Sequence, residues 1–146
     1  MLTTPHAAAG IAIGAMIGNP ILVIPVAIAS HFVLDSIPHW QETLAPYTPN
    51  KKTYVRVPLD IAFALGITVL ATHWQPQLTA AIWTGAVSAN VPDLDTIVVI
   101  IPKLRKSILA KYWDWHCKIQ RETASLWGVL PQLFVIAISL VLAYRA

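Results

Sequence analysis

Charged residues are scarce in this chain and make up 12% of its 146 residues. A soluble domain usually carries about 25%, so the composition argues against an ordinary water-soluble protein. Hydrophobic residues account for 56% of the chain, and the mean hydropathy is +0.61. The composition therefore predicts an integral membrane protein.

The chain has a single cysteine, and long basic runs and a charged leader are missing. The single cysteine, Cys117, excludes an internal disulfide. Without a long run of Lys and Arg, we expect no nucleic-acid partner. The opening residues, Met1 to His6, contain no Lys or Arg, so we expect the first hydrophobic segment to belong to the mature protein rather than to a signal peptide. The length predicts one membrane-embedded helical domain, 1–146.

The hydrophobic sequence is divided by proline and glycine into segments that favour helices. The turn signal at 18–20 reads Gly-Asn-Pro, and no alternation of polar and apolar residues persists, which disfavours a barrel of strands. The expected helices cover about 5–18, 20–36, 58–72, 76–89 and 123–144, with 91–101 as a shorter apolar segment. The expected helix at 123–144 is the clearest membrane span, because a bilayer core requires about 20 residues. The predicted fold is all-α: a small polytopic membrane helix bundle of about four to six helices.

Three glycines in the first helix, Gly10, Gly14 and Gly18, are spaced four apart. Glycines at this spacing share one helix face and let a neighbouring backbone approach closely. We therefore expect them to pack against another helix and assign them no chemistry.

If the chain is traced through the bilayer along these expected helices, most of its basic residues lie on one side. Nine of the ten basic residues fall on the side where the chain begins, and Arg145 falls on the other. The positive-inside rule makes the first side the cytoplasm. The prediction is a multi-pass protein of the cell (inner) membrane, with membrane lipids as partners and a homo-oligomer as a further possibility.

The same side receives most of the ionisable residues that can bind metal. The strongest motif joins His31 and Asp35, which share a helix face at i, i+4, with His39 after a helix-ending proline. Asp93 and Asp95 lie two apart on a proline-broken turn and can aim at one cation or at two. His6 and His116 supply further imidazoles. Imidazole and carboxylate ligands are typical of zinc, iron or manganese sites, so we predict a divalent metal held by these groups.

Two carboxylates are the predicted catalytic residues, because intramembrane carboxylates are costly unless paired or functional. Asp35 ends one apolar segment and Asp60 lies near the start of another. Either can act as the general base beside a metal-bound water. A purely structural reading stays open, in which His31 only bonds Asp35 and the aspartates cap helices.

The motifs resemble those of the membrane-bound metal-dependent hydrolases typified by the YdjM-like inner membrane proteins. The resemblance lies in Thr4-Pro5-His6 followed by small residues, in the run from Ser30 to His39, and in Val91-Pro92-Asp93-Leu94-Asp95. It implies that His6, Asp93 and Asp95 bind metal and that His31, Asp35 and His39 line the same site. The later segment departs from the family pattern, with one histidine, His116, and no Thr-His-Ser.

The function predicted from these features is hydrolysis of a phosphoester or lipid-linked ester at the cytoplasmic membrane face. Two alternatives belong to other classes. A small ion- or proton-binding, transporter-like membrane protein would use the same intramembrane carboxylates. A non-enzymatic membrane scaffold would use its polar residues for packing alone.

Overall fold

In the computed structural model of the protein, the described residues are 1–41, 51–123 and 126–146, and all regular structure within them is helical. The all-α prediction is confirmed for this part of the chain. The α-helices are α1 (Thr3–Ile17), α2 (Pro20–Asp35), α3 (Thr53–Trp74), α4 (Thr79–Ser88), α5 (Ile97–Ile100), α6 (Ile108–Ile119) and α7 (Leu126–Arg145). Short 3-10 segments cover Pro76–Leu78, Val91–Thr96 and Pro102–Lys106. The predicted loop after the second helix includes residues 42–50, which lie outside the described residues.

The first helix, α1, is the centre of the bundle and packs against α2, α3, α4 and α7. Its sequence is apolar on all sides, which is typical of a buried helix, and ten of its 15 residues are buried. The core around it consists mainly of alanine, with Ile11 and Ile82 as the large members. Small side chains let helices approach closely where burial of apolar surface gives little driving force, as in lipid.

The close approach of α1 and α4 depends on glycine, as the sequence predicted for Gly10 and Gly14. A Cβ built on Gly10 would lie 2.1 Å from the carbonyl oxygen of Gly85, and one on Gly14 would lie 2.4 Å from that of Ala81. Gly18 has a different role. It ends α1 in the left-handed conformation, with φ of 69°, which glycine adopts without steric cost.

The third helix begins earlier than predicted, at Thr53 rather than at Pro58, so Pro58 lies inside α3. Proline also lies inside α2 and α7, as Pro25 and Pro131. A proline removes one backbone donor but does not end a helix whose neighbours hold it. This tolerance is why reading proline as a start signal misplaced the boundary.

Among the described residues, two helices are long and apolar enough to cross a membrane, namely Thr53–Trp74 and Trp127–Arg145. Contacts between residues at or near the helix termini define two ends of the bundle. At one end, the Trp40 backbone N–H donates to Gly128 O, 3.0 Å away. At the other end, the Gln75 side chain donates to Tyr144 O and Trp74 packs edge-on against the Tyr144 ring.

Candidate metal centre

Three elements bring ionisable side chains together at the end of the bundle that contains Trp40 and Gly128. The last turn of α2 supplies His31 and Asp35. The 3-10 segment Val91–Thr96 supplies Asp93, and α6 supplies His116. These four residues, which we call the His/Asp cluster, each offer a ligand atom within 4.8 Å of the other three. The structure thus brings together four of the residues that the sequence proposed for a site.

The ligand atoms of the cluster are close enough for one coordination sphere. His31 Nε2 lies 3.1 Å from His116 Nε2 and 3.1 Å from Asp35 Oδ2. His116 Nε2 lies 3.0 Å from Asp35 Oδ2, and Asp93 Oδ1 lies 3.6 Å from His31 Nε2. Ligands bound at about 2.0–2.1 Å in a tetrahedral site are about 3.3 Å apart, so these separations fit a small divalent ion.

The hydrogen bonds on the far side of each ring fix which nitrogen faces the cluster. His31 Nδ1–H donates to the Ala89 carbonyl at 2.7 Å, and His116 Nδ1–H donates to Asp95 Oδ2 at 2.8 Å. In the neutral tautomers, both Nε2 lone pairs therefore point at each other and at the Asp35 carboxylate. Three acceptors in contact need a cation between them, either a proton or a metal ion.

The ionisation of two cluster members follows from this arrangement. Burial acts to lower the pKa of His116, but its hydrogen bonds to Asp35 and Asp95 outweigh burial and raise that pKa to about 9. Burial raises the pKa of Asp93 to about 6, against the opposing charge of His31. A proton on His116 can thus occupy the position that a metal ion would take.

Asp95 lies behind His116 rather than beside Asp93, although the sequence proposed both as ligands. A 3-10 helix turns about 120° per residue, so residues two apart point in different directions. Asp95 is 2% exposed, and its Oδ2 accepts the His116 Nδ1–H. This carboxylate–histidine pair is the usual outer support of a metal-binding imidazole.

We expect Asp95→Ala to weaken metal binding about 10–100-fold, the usual cost of losing such a support, because His116 loses the acceptor that fixes its tautomer. Asp95→Asn keeps an acceptor oxygen and should recover part of the affinity. Metal titration of purified protein measures both, with Asp114→Ala as the control for an exposed aspartate on α6. Complete loss of metal in Asp95→Ala would instead make Asp95 a ligand, as the sequence proposed.

His6 contacts the carboxylate oxygen of Asp35 that faces away from His116. Its Nε2 lies 3.1 Å from Asp35 Oδ1, and its ring stacks on that of His31 with centroids 4.0 Å apart. The amino group of Met1 also contacts Asp35 Oδ1. His6 therefore holds Asp35 and His31 in place, and it is not one of the four cluster residues.

His39 lies outside the cluster as well, although the sequence proposed it as a ligand. Its ring Nδ1 donates to Ile37 O at 2.7 Å, and its Nε2 lies 3.3 Å from Gln41 Oε1. Its backbone pairs with Arg121 and Thr123. His39 thus ties the end of α2 to the segment that precedes α7.

Asp60 caps the first helix instead of joining the cluster. Its carboxylate accepts the backbone N–H groups of Thr3 and Thr4 at 2.6 and 3.1 Å, and also the Thr4 hydroxyl. The first N–H groups of a helix have no partner within the helix, and a carboxylate there also complements the helix dipole. This arrangement favours the helix-capping alternative, applied to α1 rather than to Asp60's own helix.

Asp60→Ala should lower the stability of the protein by about 1–2 kcal/mol, the upper range for loss of a helix cap, and leave metal content unchanged. Thermal unfolding in detergent and elemental analysis of the same sample test the two parts. An unchanged melting temperature together with lost hydrolytic activity would support the catalytic role that the sequence proposed.

Amide side chains near the cluster were missed by the sequence reasoning. Gln120 Nε2 lies 3.5 Å from Asp35 Oδ2. Gln132 is 3% exposed within α7, where it accepts from Leu2 N and donates to Trp40 O. A glutamine within an otherwise apolar helix was the signal that could have found Gln132, since a polar group there needs a partner.

A cavity of about 360 Å³ adjoins the cluster and is lined by Asp93, Asp60, Gln120 and Cys117, among others. Its volume is in the range of small-molecule sites, about 300–1,000 Å³. Desolvation in the cavity wall and the nearby charges of Asp95 and Asp114 raise the pKa of the Cys117 thiol to about 11. The thiol stays protonated at neutral pH, which disfavours a nucleophilic role because the thiolate is the reactive form.

Comparison of the chain with protein-family models, with curated proteins and with solved structures finds no match in any of the three. The resemblance to the YdjM-like hydrolases therefore stays a prediction that depends on short motifs. The His/Asp cluster and its surroundings are the features that bear on function.

Proposed function

We propose that the protein is a membrane-embedded, metal-dependent hydrolase that cleaves an ester, either a phosphoester or a lipid-linked ester. The observation that carries this proposal is the meeting of His31 Nε2, His116 Nε2 and Asp35 Oδ2 within 3.1 Å of one another, next to a cavity. A divalent ion at such a site lowers the pKa of a bound water and makes hydroxide available near neutral pH.

The residues around this position would have different roles. His31, His116 and Asp35 would hold the ion. Both oxygens of Asp35 are engaged, Oδ1 by His6 and Oδ2 by the two cluster histidines. Asp93 belongs to the cluster and also lines the cavity, so it is the carboxylate placed to accept a proton from water attacking a bound ester.

The exposed surface of the helices supports a membrane location. Only 17% and 22% of the residues in the apolar windows of α3 and α7 are buried, whereas a core helix of a soluble protein is mostly buried. Large apolar side chains such as Ile21, Phe63 and Phe134 are mostly exposed, at 77%, 68% and 66%. Such surface is costly in water and favourable in lipid.

The distribution of basic residues supports a site that faces the cytoplasm. Lys51 and Lys52 immediately precede α3 and Arg56 lies in its first turn. Asp60 of the same helix lines the cavity beside the cluster. Most other basic residues lie between 102 and 121, the stretch that contains α6 and His116. The positive-inside rule assigns such an end to the cytoplasmic side.

The test is hydrolysis by detergent-purified protein reloaded with zinc, manganese or iron, assayed on p-nitrophenyl esters of phosphate and of fatty acids. We expect turnover that requires the metal and falls at least about 100-fold in His116→Ala, since a site that loses the ion loses its hydroxide. His73→Ala, an exposed residue in the last turn of α3, is the control. Full metal loading without turnover of any ester, together with cation flux in proteoliposomes, would favour the transporter-like alternative.

A further inference from the structure

The cavity beside the cluster continues into a groove between α1, α3 and α4. This second space has a volume of about 230 Å³, and its lining includes Ala7 of α1, Ile61, Ala64 and Leu65 of α3, and Ala86 and Val87 of α4. Four residues line both spaces: Thr3, Ile61, Asn90 and Leu94. The groove therefore begins where the cavity ends.

The groove is apolar along its length and follows a helix that can span a membrane. Its wall on α3 extends from Ile61 to Thr68, about 10 Å at 1.5 Å per residue. The Thr68 hydroxyl donates to Ala64 O at 2.7 Å, so it offers the groove no unused donor. Leu65 and Val87 form its rim and are half-exposed, at 50% and 58%. Such a surface is suited to a hydrocarbon chain that enters from the lipid.

The charged residues that line the cavity beside the cluster disfavour an anionic ligand. Its lining includes the carboxylates of Asp60, Asp93 and Glu122, and none of the described lining residues is Lys or Arg. The inferred divalent ion and the Met1 amino group, which contacts Asp35, contribute three positive charges against the four carboxylates of Asp35, Asp60, Asp93 and Glu122. A phosphate-bearing headgroup would therefore still meet a net negative charge in a confined space, where like charges repel strongly. An uncharged headgroup avoids this cost.

An unused acceptor lies where the two spaces meet. The Asn90 side-chain nitrogen donates to Ala86 O at 2.9 Å, which fixes the orientation of the amide. Its buried Oδ1 accepts no hydrogen bond from the part of the chain that the structure describes. A buried acceptor without a donor is costly, and a hydroxyl group of a ligand would satisfy it.

We infer that the groove and cavity together bind a single-chain lipid with an uncharged, hydroxyl-bearing headgroup, the chain lying between α3 and α4 and the headgroup beside Asp93. This inference rests on the proposed hydrolase function and narrows its substrate to a carboxylic ester of the monoacylglycerol type. Hydrolysis of that ester would consume one water and release a fatty acid and the free polyol.

The experiment is photolabelling of the purified protein in phosphatidylcholine nanodiscs, which contain no single-chain amphiphile with an uncharged headgroup, with a monoacylglycerol that carries a diazirine in its chain, followed by peptide mapping. We expect saturable labelling of the groove residues on α3 and α4. Excess unlabelled monoacylglycerol should compete for the site, whereas lysophosphatidic acid of equal chain length should not. Competition by lysophosphatidic acid alone would overturn the inference that the headgroup is uncharged.

Variants at the groove rim sharpen the test. Leu65→Trp and Val87→Trp narrow the groove from half-exposed positions, so we expect the labelled fraction to fall at least tenfold while the protein stays folded. Val69→Trp is the matched control, because Val69 is 56% exposed on the same helix and does not line the groove. Labelling that rises without saturation and spreads over exposed residues such as Ile21 and Phe134 would be ordinary lipid contact and would overturn the inference.

Elemental analysis of the same samples separates this inference from the proposed function. Saturable groove labelling of a protein that takes up no metal would retain the lipid site and reject the hydrolase. Full metal content with diffuse labelling would retain the metal centre and reject the lipid site.

Discussion

Alanine at His116 is expected to reduce bound metal from about one equivalent per chain to a trace. His116 Nε2 lies within 3.1 Å of both His31 Nε2 and Asp35 Oδ2. Loss of this imidazole therefore removes one ligand and leaves the coordination sphere of the metal incomplete. Loss of an outer partner alone costs up to about 100-fold in affinity, and loss of a ligand should cost more. Elemental analysis after reloading and gel filtration measures the effect.

Two further variants show whether this loss of metal is specific to the cluster. His31→Ala should lose metal to the same extent, because both imidazoles contact Asp35 Oδ2. His73→Ala should bind metal like the wild type, since His73 lies at the other end of α3 and is exposed. Full occupancy in His116→Ala would contradict the assignment of this cluster as the metal centre.

The second large effect is expected for Gly10→Ala, which should strongly destabilise the bundle. The new Cβ would lie 2.1 Å from the Gly85 carbonyl oxygen and 2.5 Å from its carbon. Backbone atoms cannot move aside as a flexible side chain can, so α1 and α4 must separate. Overpacking of this kind costs about 1–3 kcal/mol and occasionally more. Thermal unfolding in detergent should show a clear decrease in melting temperature.

Gly66→Ala is the matched control for this substitution. Gly66 lies inside α3, and a Cβ there meets no atom within 4 Å among the described residues. Alanine is favoured over glycine in a helix interior by about 1 kcal/mol, so the control should be neutral or slightly stabilising. Equal melting temperatures for Gly10→Ala and Gly66→Ala would contradict the close packing of α1 on α4.

The sequence predicted the helical fold and the gathering of ionisable residues at one end because both follow from local patterns. Apolar segments separated by Gly18 and by prolines define most of the helices. The i, i+4 spacing of His31 and Asp35 places both on one face of α2. These features do not depend on knowing which helices touch.

The roles within the site depend on tertiary contacts, which one sequence does not contain. Asp95 looked equivalent to Asp93, yet the 3-10 turn directs it behind His116. Asp60 looked like a base in an apolar helix, yet it bonds Thr3 and Thr4 of α1. Nothing local to either aspartate indicates its partner, so sequence reasoning placed them near the site without separating ligand, support and cap.

The most direct test of the central claim is X-ray absorption spectroscopy of the wild-type protein reloaded with zinc. We expect about one zinc per chain, bound by two imidazole nitrogens and by the carboxylate of Asp35 at about 2.0–2.2 Å. Less than a tenth of an equivalent after reloading, or a shell that contains sulfur or lacks imidazole, would contradict a metal centre formed by His31, Asp35 and His116.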